Sequence, residues 1–133
     1  MAVPRFWREI GSRYNFQASK CRKCGKIFFP PRDMCSECRR ASIGMMQDIQ
    51  LPDEGKILSY TTIHNGPEAF KMQIPYTMAI IEIDGGVRLT SQIVDCDPSK
   101  LRIGMKVKSV FRRIGEDGKA GMIYYGYKFK PME

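Results

Sequence analysis

The chain has 133 residues, with 22 Lys or Arg against 14 Asp or Glu, a formal charge of +8 and five cysteines. That length leaves room for one ordinary domain, or for a small barrel beside a metal-stapled module. No stretch approaches the ~20 apolar residues of a membrane span, and Met1 to Arg5 runs straight into an aromatic, charged segment with no apolar signal-peptide core, so a cytoplasmic protein is expected.

Residues 4–17 are expected to form an amphipathic helix. Phe6, Ile10 and Tyr14 recur at i, i+4 and i+8 with Trp7 beside them, while Arg5, Arg8, Glu9 and Arg13 take the other faces. Pro4 suits a first helical turn, and Gly11 weakens the helix by about 1 kcal/mol relative to alanine. A helix this short is marginal alone, so its aromatic face needs a surface to dock on, in this chain or in a partner.

Next come Cys21-Arg22-Lys23-Cys24 and Cys35-Ser36-Glu37-Cys38, two C-x-x-C pairs ten residues apart. A C-x-x-C pair on a tight turn aims two thiolates at one point, and a second such turn completes a tetrahedron around an ion. Gly25, just after the first pair, suits the positive φ that such a knuckle often needs. A disulfide framework fits poorly, because adjacent C-x-x-C pairs make poor long-range staples. A thioredoxin-like dithiol would need one pair in a βαβ context. Zinc is favoured over iron only because it is commoner at four-thiolate sites. With all four positions filled by protein, the metal would be structural.

Between the pairs, Ile27-Phe28-Phe29-Pro30-Pro31-Arg32 is an apolar run closed by prolines, which predicts a zinc ribbon of two short hairpins. Residues 41–54 read as a connector. The period then changes to two, and five strands are predicted: Lys56 to His64, Tyr76 to Asp84, Val87 to Asp95, Met105 to Ile114 and Met122 to Lys130. Asp84-Gly85-Gly86 and Gly115-Glu116-Asp117-Gly118 are the predicted turns, and Tyr125, Tyr127 and Phe129 fall on one face. Five strands with one longer connection near Pro98 to Gly104 fit a small closed barrel, most simply an OB-fold, with an open sandwich as the alternative. The expected organisation is a helical segment over 1–20, a rubredoxin-like ribbon over 21–44 and the OB-fold over 45–133, a mainly β protein.

Charge is concentrated at one end. Residues 1–40 hold ten Lys or Arg against three acidic residues, a formal +7, and residues 41–133 contribute the remaining +1. Such a patch suits the phosphates of a nucleotide-containing ligand, an acidic protein or RNA. Candidates for catalysis are few. His64 is the single histidine and reads as a loop residue, and Cys96 lies between Asp95 and Asp97, whose charges raise a thiol pKa. No triad, phosphate-cradling glycine loop or paired-carboxylate site is apparent, so a binding or assembly role is expected.

The order of motifs carries a resemblance: Phe6-Trp7, Cys21-x-x-Cys24-Gly25, Phe29-Pro30-Pro31-Arg32, Cys35-x-x-Cys38, Gly55-Lys56-Ile57-Leu58-Ser59-Tyr60-Thr61-Thr62, Pro75-Tyr76, Asp84-Gly85-Gly86-Val87-Arg88-Leu89 and Ile103-Gly104-Met105-Lys106-Val107. In this order the chain resembles the zinc-ribbon plus OB-fold family catalogued as domain of unknown function number thirty-five, encoded beside thiolases. The resemblance implies a non-catalytic acyl-CoA-associated scaffold. For archaeal members it implies a bridge between acetoacetyl-CoA thiolase and hydroxymethylglutaryl-CoA synthase of the mevalonate route; other members pair with related thiolase-like enzymes. On this reading Trp7, Phe28, Phe29 and Arg32 belong to contact surfaces, and Arg13, Lys20 and Lys26 approach the phosphates of coenzyme A. The competing expectation is RNA or single-stranded DNA binding, with Phe111, Tyr124, Tyr125 and Tyr127 as stacking platforms, although the near-neutral second half counts against it.

Overall fold

The computed structural model describes residues 3–83 and 86–132. The amphipathic N-terminal segment forms two short helices, α1 (Val3–Arg8) and α2 (Ile10–Asn15), broken at Glu9. The expected single helix to residue 17 is therefore corrected at both points. The chain leaves α2 through Phe16, whose φ of 55° is left-handed, and residue 17 already belongs to a strand. Gly11 sits where the returning chain comes closest, since a Cβ there would lie 2.2 Å from Gln17 Oε1.

Three strands follow: β1 (Gln17–Cys21), β2 (Ile27–Phe28) and β3 (Met46–Gln50), in the order β2-β1-β3 and antiparallel throughout. The ribbon is thus one three-stranded sheet in place of two hairpins. The segment expected as a connector supplies β3, paired with β1 from Gln17↔Gln50 to Cys21↔Met46. Met46 to Gln50 is mostly polar and exposed, so no alternation marks it; its backbone is recruited by β1.

The remaining strands are β4 (Glu54–Ile63), β5 (Tyr76–Ile83), β6 (Val87–Ile93), β7 (Lys106–Glu116) and β8 (Ile123–Pro131), closed as β4-β5-β6-β8-β7. Five strands in a closed barrel are the OB-fold that the period-two pattern predicts, and the open sandwich is ruled out. Inward residues of successive strands, Ile57, Ile81, Ile83, Leu89, Ile93, Val107 and Phe129, form one core. The long β6–β7 connection folds back through a 3-10 turn at Pro98–Lys100 and buries Leu101, whose carbonyl accepts from the Tyr60 hydroxyl at 3.0 Å. Of the predicted turns, Asp84 and Gly85 lie outside the described residues, and Gly86 has a φ of 81°. The second turn falls later than expected: β7 continues through a bulge at Ile114 to Glu116, and Asp117 N donates to Met122 O at 3.0 Å.

Beyond the registers that close the barrel, Lys106–Lys108 with β4 and Ile93↔Phe129 with β6, β7 and β8 pair only with each other. The helices pack on this free stretch. Phe6 meets Tyr124 edge-on at 4.7 Å and Tyr14 meets Phe111 at 5.1 Å, so the aromatic face of the helices docks within the chain. On the other side of the barrel Lys128 is buried, its Nζ donating to Gln73 Oε1 at 3.3 Å, which ties the β4–β5 connection to β8. Burial, and then the Arg112 charge, hold Lys128 below the usual lysine range.

Gly55 stands where β4 pairs with β5 and β7 at once, and a Cβ there would lie 2.8 Å from both Glu82 O and Ile81 Cγ2. Replacing Gly55 by alanine should destabilise the fold by about 1–3 kcal/mol, the usual cost of overpacking. Gly115→Ala is the matched control, because no atom lies within 4 Å of its Cβ position, and its effect should stay within about 1 kcal/mol. Denaturant midpoints compare the two; equal losses would contradict this account of barrel closure.

Candidate metal centre and basic face

β1 ends at Cys21, and the chain then turns so that Gly25 N donates to Cys21 O at 2.8 Å while Cys21 N donates to Lys26 O at 2.9 Å. The second knuckle repeats the first, with Arg39 N on Cys35 O at 2.9 Å. Each knuckle is followed by a left-handed residue, Gly25 with φ 79° and Arg39 with φ 49°. The first was legible from its glycine. The second carries a side chain and gave no sign.

The four sulfurs lie within 4.8 Å of one another, with Cys21 and Cys38 Sγ 3.9 Å apart and Cys24 and Cys35 Sγ 3.4 Å apart. Sulfurs ~2.3 Å from a tetrahedral ion define an edge of about 3.8 Å, so the donor set fits a four-thiolate metal. All five cysteines are free thiols, and the ligand set would be Cys21, Cys24, Cys35 and Cys38. The bound ion would supply cross-linking between the knuckles, with no position left for a substrate. Ser42, absent from the sequence reading, completes the second knuckle: its buried Oγ accepts from Cys35 N at 2.8 Å and donates to Arg39 O at 2.6 Å. Ser19 does similar work, accepting from Arg32 N at 2.8 Å. A lone serine carries no pattern that separates it from a surface residue.

Electrostatics at the site call for a cation. The Cys24 N–H lowers the Cys21 thiol to about 7 against the effect of burial, and the Cys38 N–H lowers Cys35 in the same way. Burial, and then the neighbouring sulfurs, push Cys38 up to about 12. Four thiolates so close together cannot all ionise without a metal to neutralise them.

The expected contact residues divide into two groups. Trp7 is 65% exposed, and Lys20 and Arg32 are exposed. Phe28 is only 8% exposed, packed beside Cys21 and Cys35, with the Arg32 guanidinium 5.2 Å and Lys26 Nζ 5.6 Å from its ring. Phe29 is half-buried and stacks on Phe16 at 5.6 Å, joining ribbon to barrel. Both rings thus have partners within this chain, because a ribbon this small needs them as its core. Arg13 is held by Glu9 at 2.8 Å and lies over Phe6 at 4.9 Å, and Lys26 is held by Glu37 at 3.0 Å. Of the rings expected as stacking platforms for nucleic acid, Tyr124 is buried under Phe6 and Tyr127 packs on Phe16, while Tyr125 stacks at 5.1 Å on Phe111, which is 57% exposed.

Cys21→Ser and Cys38→Ser should each lose the metal and unfold the ribbon, since metal binding contributes roughly 10–16 kcal/mol in comparable modules. Elemental analysis and thermal melts read this out; parental metal content and melting temperature in both variants would refute the site. Because Cys24 is raised and Cys38 stands at about 12 in the metal-free fold, both hold protons at pH 7. Binding of the metal should therefore release roughly two or more protons, and apparent affinity should rise with pH through neutrality. Calorimetry in buffers of different ionisation enthalpy measures the number.

Two family models match the chain, the rubredoxin-like zinc ribbon domain of ChsH2 over residues 8–44 and the C-terminal OB-fold domain of ChsH2 over residues 48–112. A DUF35 domain-containing scaffold protein of Methanocaldococcus jannaschii is 48% identical over 131 residues, 98% of this chain and 92% of that protein. A probable enoyl-CoA hydratase alpha subunit of Thermomonospora curvata is 30% identical over 103 residues, which is 77% of this chain and 31% of the relative. Among solved structures, the Ltp2-ChsH2(DUF35) aldolase superposes with a TM-score of 0.75 over 100% of this chain and 98% of that chain, at 24% identity, a likeness of fold. Its four-cysteine ribbon, its five-stranded barrel and 48% identity over nearly its whole length to a DUF35 scaffold protein together make this chain a member of the DUF35 family of zinc-ribbon plus OB-fold proteins.

Proposed function

We propose that this protein is a non-catalytic scaffold that holds an acetoacetyl-CoA thiolase against hydroxymethylglutaryl-CoA synthase in the cytoplasm, with zinc in its four-thiolate site. The observation that carries the reading is the 48% identity over 98% of this chain to a protein named as a scaffold, on a fold whose four-cysteine centre leaves no position for a substrate. The hydratase-subunit relative is a second support, because it is named as a subunit of an enzyme that acts on an acyl-CoA.

Physical chemistry gives such a bridge a purpose. Condensation of two acetyl-CoA molecules by a thiolase is uphill, so the reaction advances only as its product is consumed. A scaffold that fixes the two active sites close together raises the effective concentration of acetoacetyl-CoA at the second enzyme, to about millimolar for short separations. Coenzyme A itself offers an adenine face and phosphates. Trp7, Lys20, Lys26 and Arg32 are the exposed aromatic and cationic groups among the expected contacts, and on this reading they face the ligand or the enzymes.

Tagged protein purified gently from its native extract should bring both enzymes with it. In a reconstituted mixture, synthesis of hydroxymethylglutaryl-CoA from acetyl-CoA should rise when the scaffold is added at stoichiometric concentration. Purification without either enzyme, and no change in coupled flux, would sink the bridge.

A further inference from the structure

The end of the ribbon that bears the cysteine knuckles presents a face that metal binding leaves unused. Arg22 and Lys23 fill the first knuckle, Arg39 and Arg40 follow the second, and all four are exposed. Among the described residues none of the four enters an ion pair, whereas Lys26 and Arg13 in the same half of the chain are each held by a glutamate. A divalent ion on four thiolates carries a net −2 and Asp33, beside Met34, adds −1, so these four cations still leave a net positive charge at this end.

Apolar side chains stand among them. Ile43 is 67% exposed, Met34 49% and Met45 43%. Backbone hydrogen bonds hold the group together: Arg22 N donates to Met45 O at 3.0 Å, Ile43 N to Arg40 O at 3.2 Å, and Met45 N to Ser42 O at 2.8 Å. Met34 is brought to the same place, since its neighbour Cys35 N is held by Ser42 Oγ. The face is therefore built on the metal knuckles themselves, with little ordering entropy left to lose on contact.

We propose that this face docks one of the two bridged enzymes, on a surface that presents an apolar side chain within a rim of Asp and Glu. The inference rests on the scaffold reading and adds to it the contact and its chemistry. Two arguments select a protein over a nucleic acid. The unpaired cations call for a negatively charged rim. Methionine and isoleucine suit an apolar protein side chain, while no exposed aromatic ring stands here for a base to stack on.

The test measures binding of the purified thiolase and the purified synthase, each alone, to the zinc-loaded full chain by surface plasmon resonance. One of them should bind the parent protein, more weakly as salt rises. Arg22→Glu combined with Arg40→Glu, and separately Ile43→Asp, should each weaken that binding by about tenfold or more, with metal content unchanged. Lys71→Glu combined with Lys100→Glu, the same charge change on the barrel connections, should leave it within about twofold. If the parent binds and the ribbon variants bind equally well, the face is wrong and the scaffold reading stands. If neither enzyme binds the parent, both fall. Binding of a uridine 20-mer RNA at low salt that disappears in the ribbon variants would overturn the protein occupant.

Discussion

Phe16 leaves α2 with a φ of 55°, and its ring then lies among Phe29 at 5.6 Å, Tyr127 at 4.6 Å and Phe129 at 5.8 Å. A left-handed conformation costs a non-glycine residue about 1–2 kcal/mol, and burying a phenylalanine returns roughly 1.5–3 kcal/mol. The strain is held because three parts of the chain meet on that ring. Phe29 arrives from between the cysteine pairs, Tyr127 and Phe129 from the last barrel strand, and the helix ends where Phe16 begins. Its carbonyl also accepts from Leu51 N at 3.1 Å, which fixes the exit from β3 into the barrel. The Gln50 side-chain amide donates to the Asn15 carbonyl beside it.

Two independent devices therefore keep a small protein in one shape. The thiolate cluster supplies what the ribbon's few apolar residues cannot, since the buried cluster beside the knuckles consists, among the described residues, of Cys21, Cys35 and Phe28. The barrel closes over an apolar core of its own inward residues, joined by Phe16 and Ala18. Phe16 and Phe29 couple the two, so the knuckle face and the barrel hold a fixed relation to each other.

A rigid linker between two faces is what an assembling protein needs, because the effective concentration it creates falls as the separation it enforces becomes less defined. The closed metal site and the buried aromatics leave function to the surface. There stand the cations of the first forty residues that enter no ion pair among the described residues, and exposed groups such as Trp7 and Ile43. A surface that is charged, apolar in places and rigid loses little entropy on binding.

Residue order alone determined the four-cysteine cluster, the barrel and the family, because each is written in a local pattern. Two C-x-x-C pairs declare a tetrahedron by spacing, and half-buried strands declare themselves by alternation. Pattern failed where structure is conferred by a distant partner. β3 is a strand because β1 pairs with it, Ser42 matters because Cys35 N faces it, and Phe28 and Phe29 are covered by a sheet and a helix exit that periodicity did not locate. The helix stopped two residues early for a similar reason, a left-handed phenylalanine whose cost is recovered only by contacts from elsewhere in the chain. Which aromatic rings belong to the core and which to the surface was decided by tertiary packing, since burial is a property of neighbours brought together across the chain.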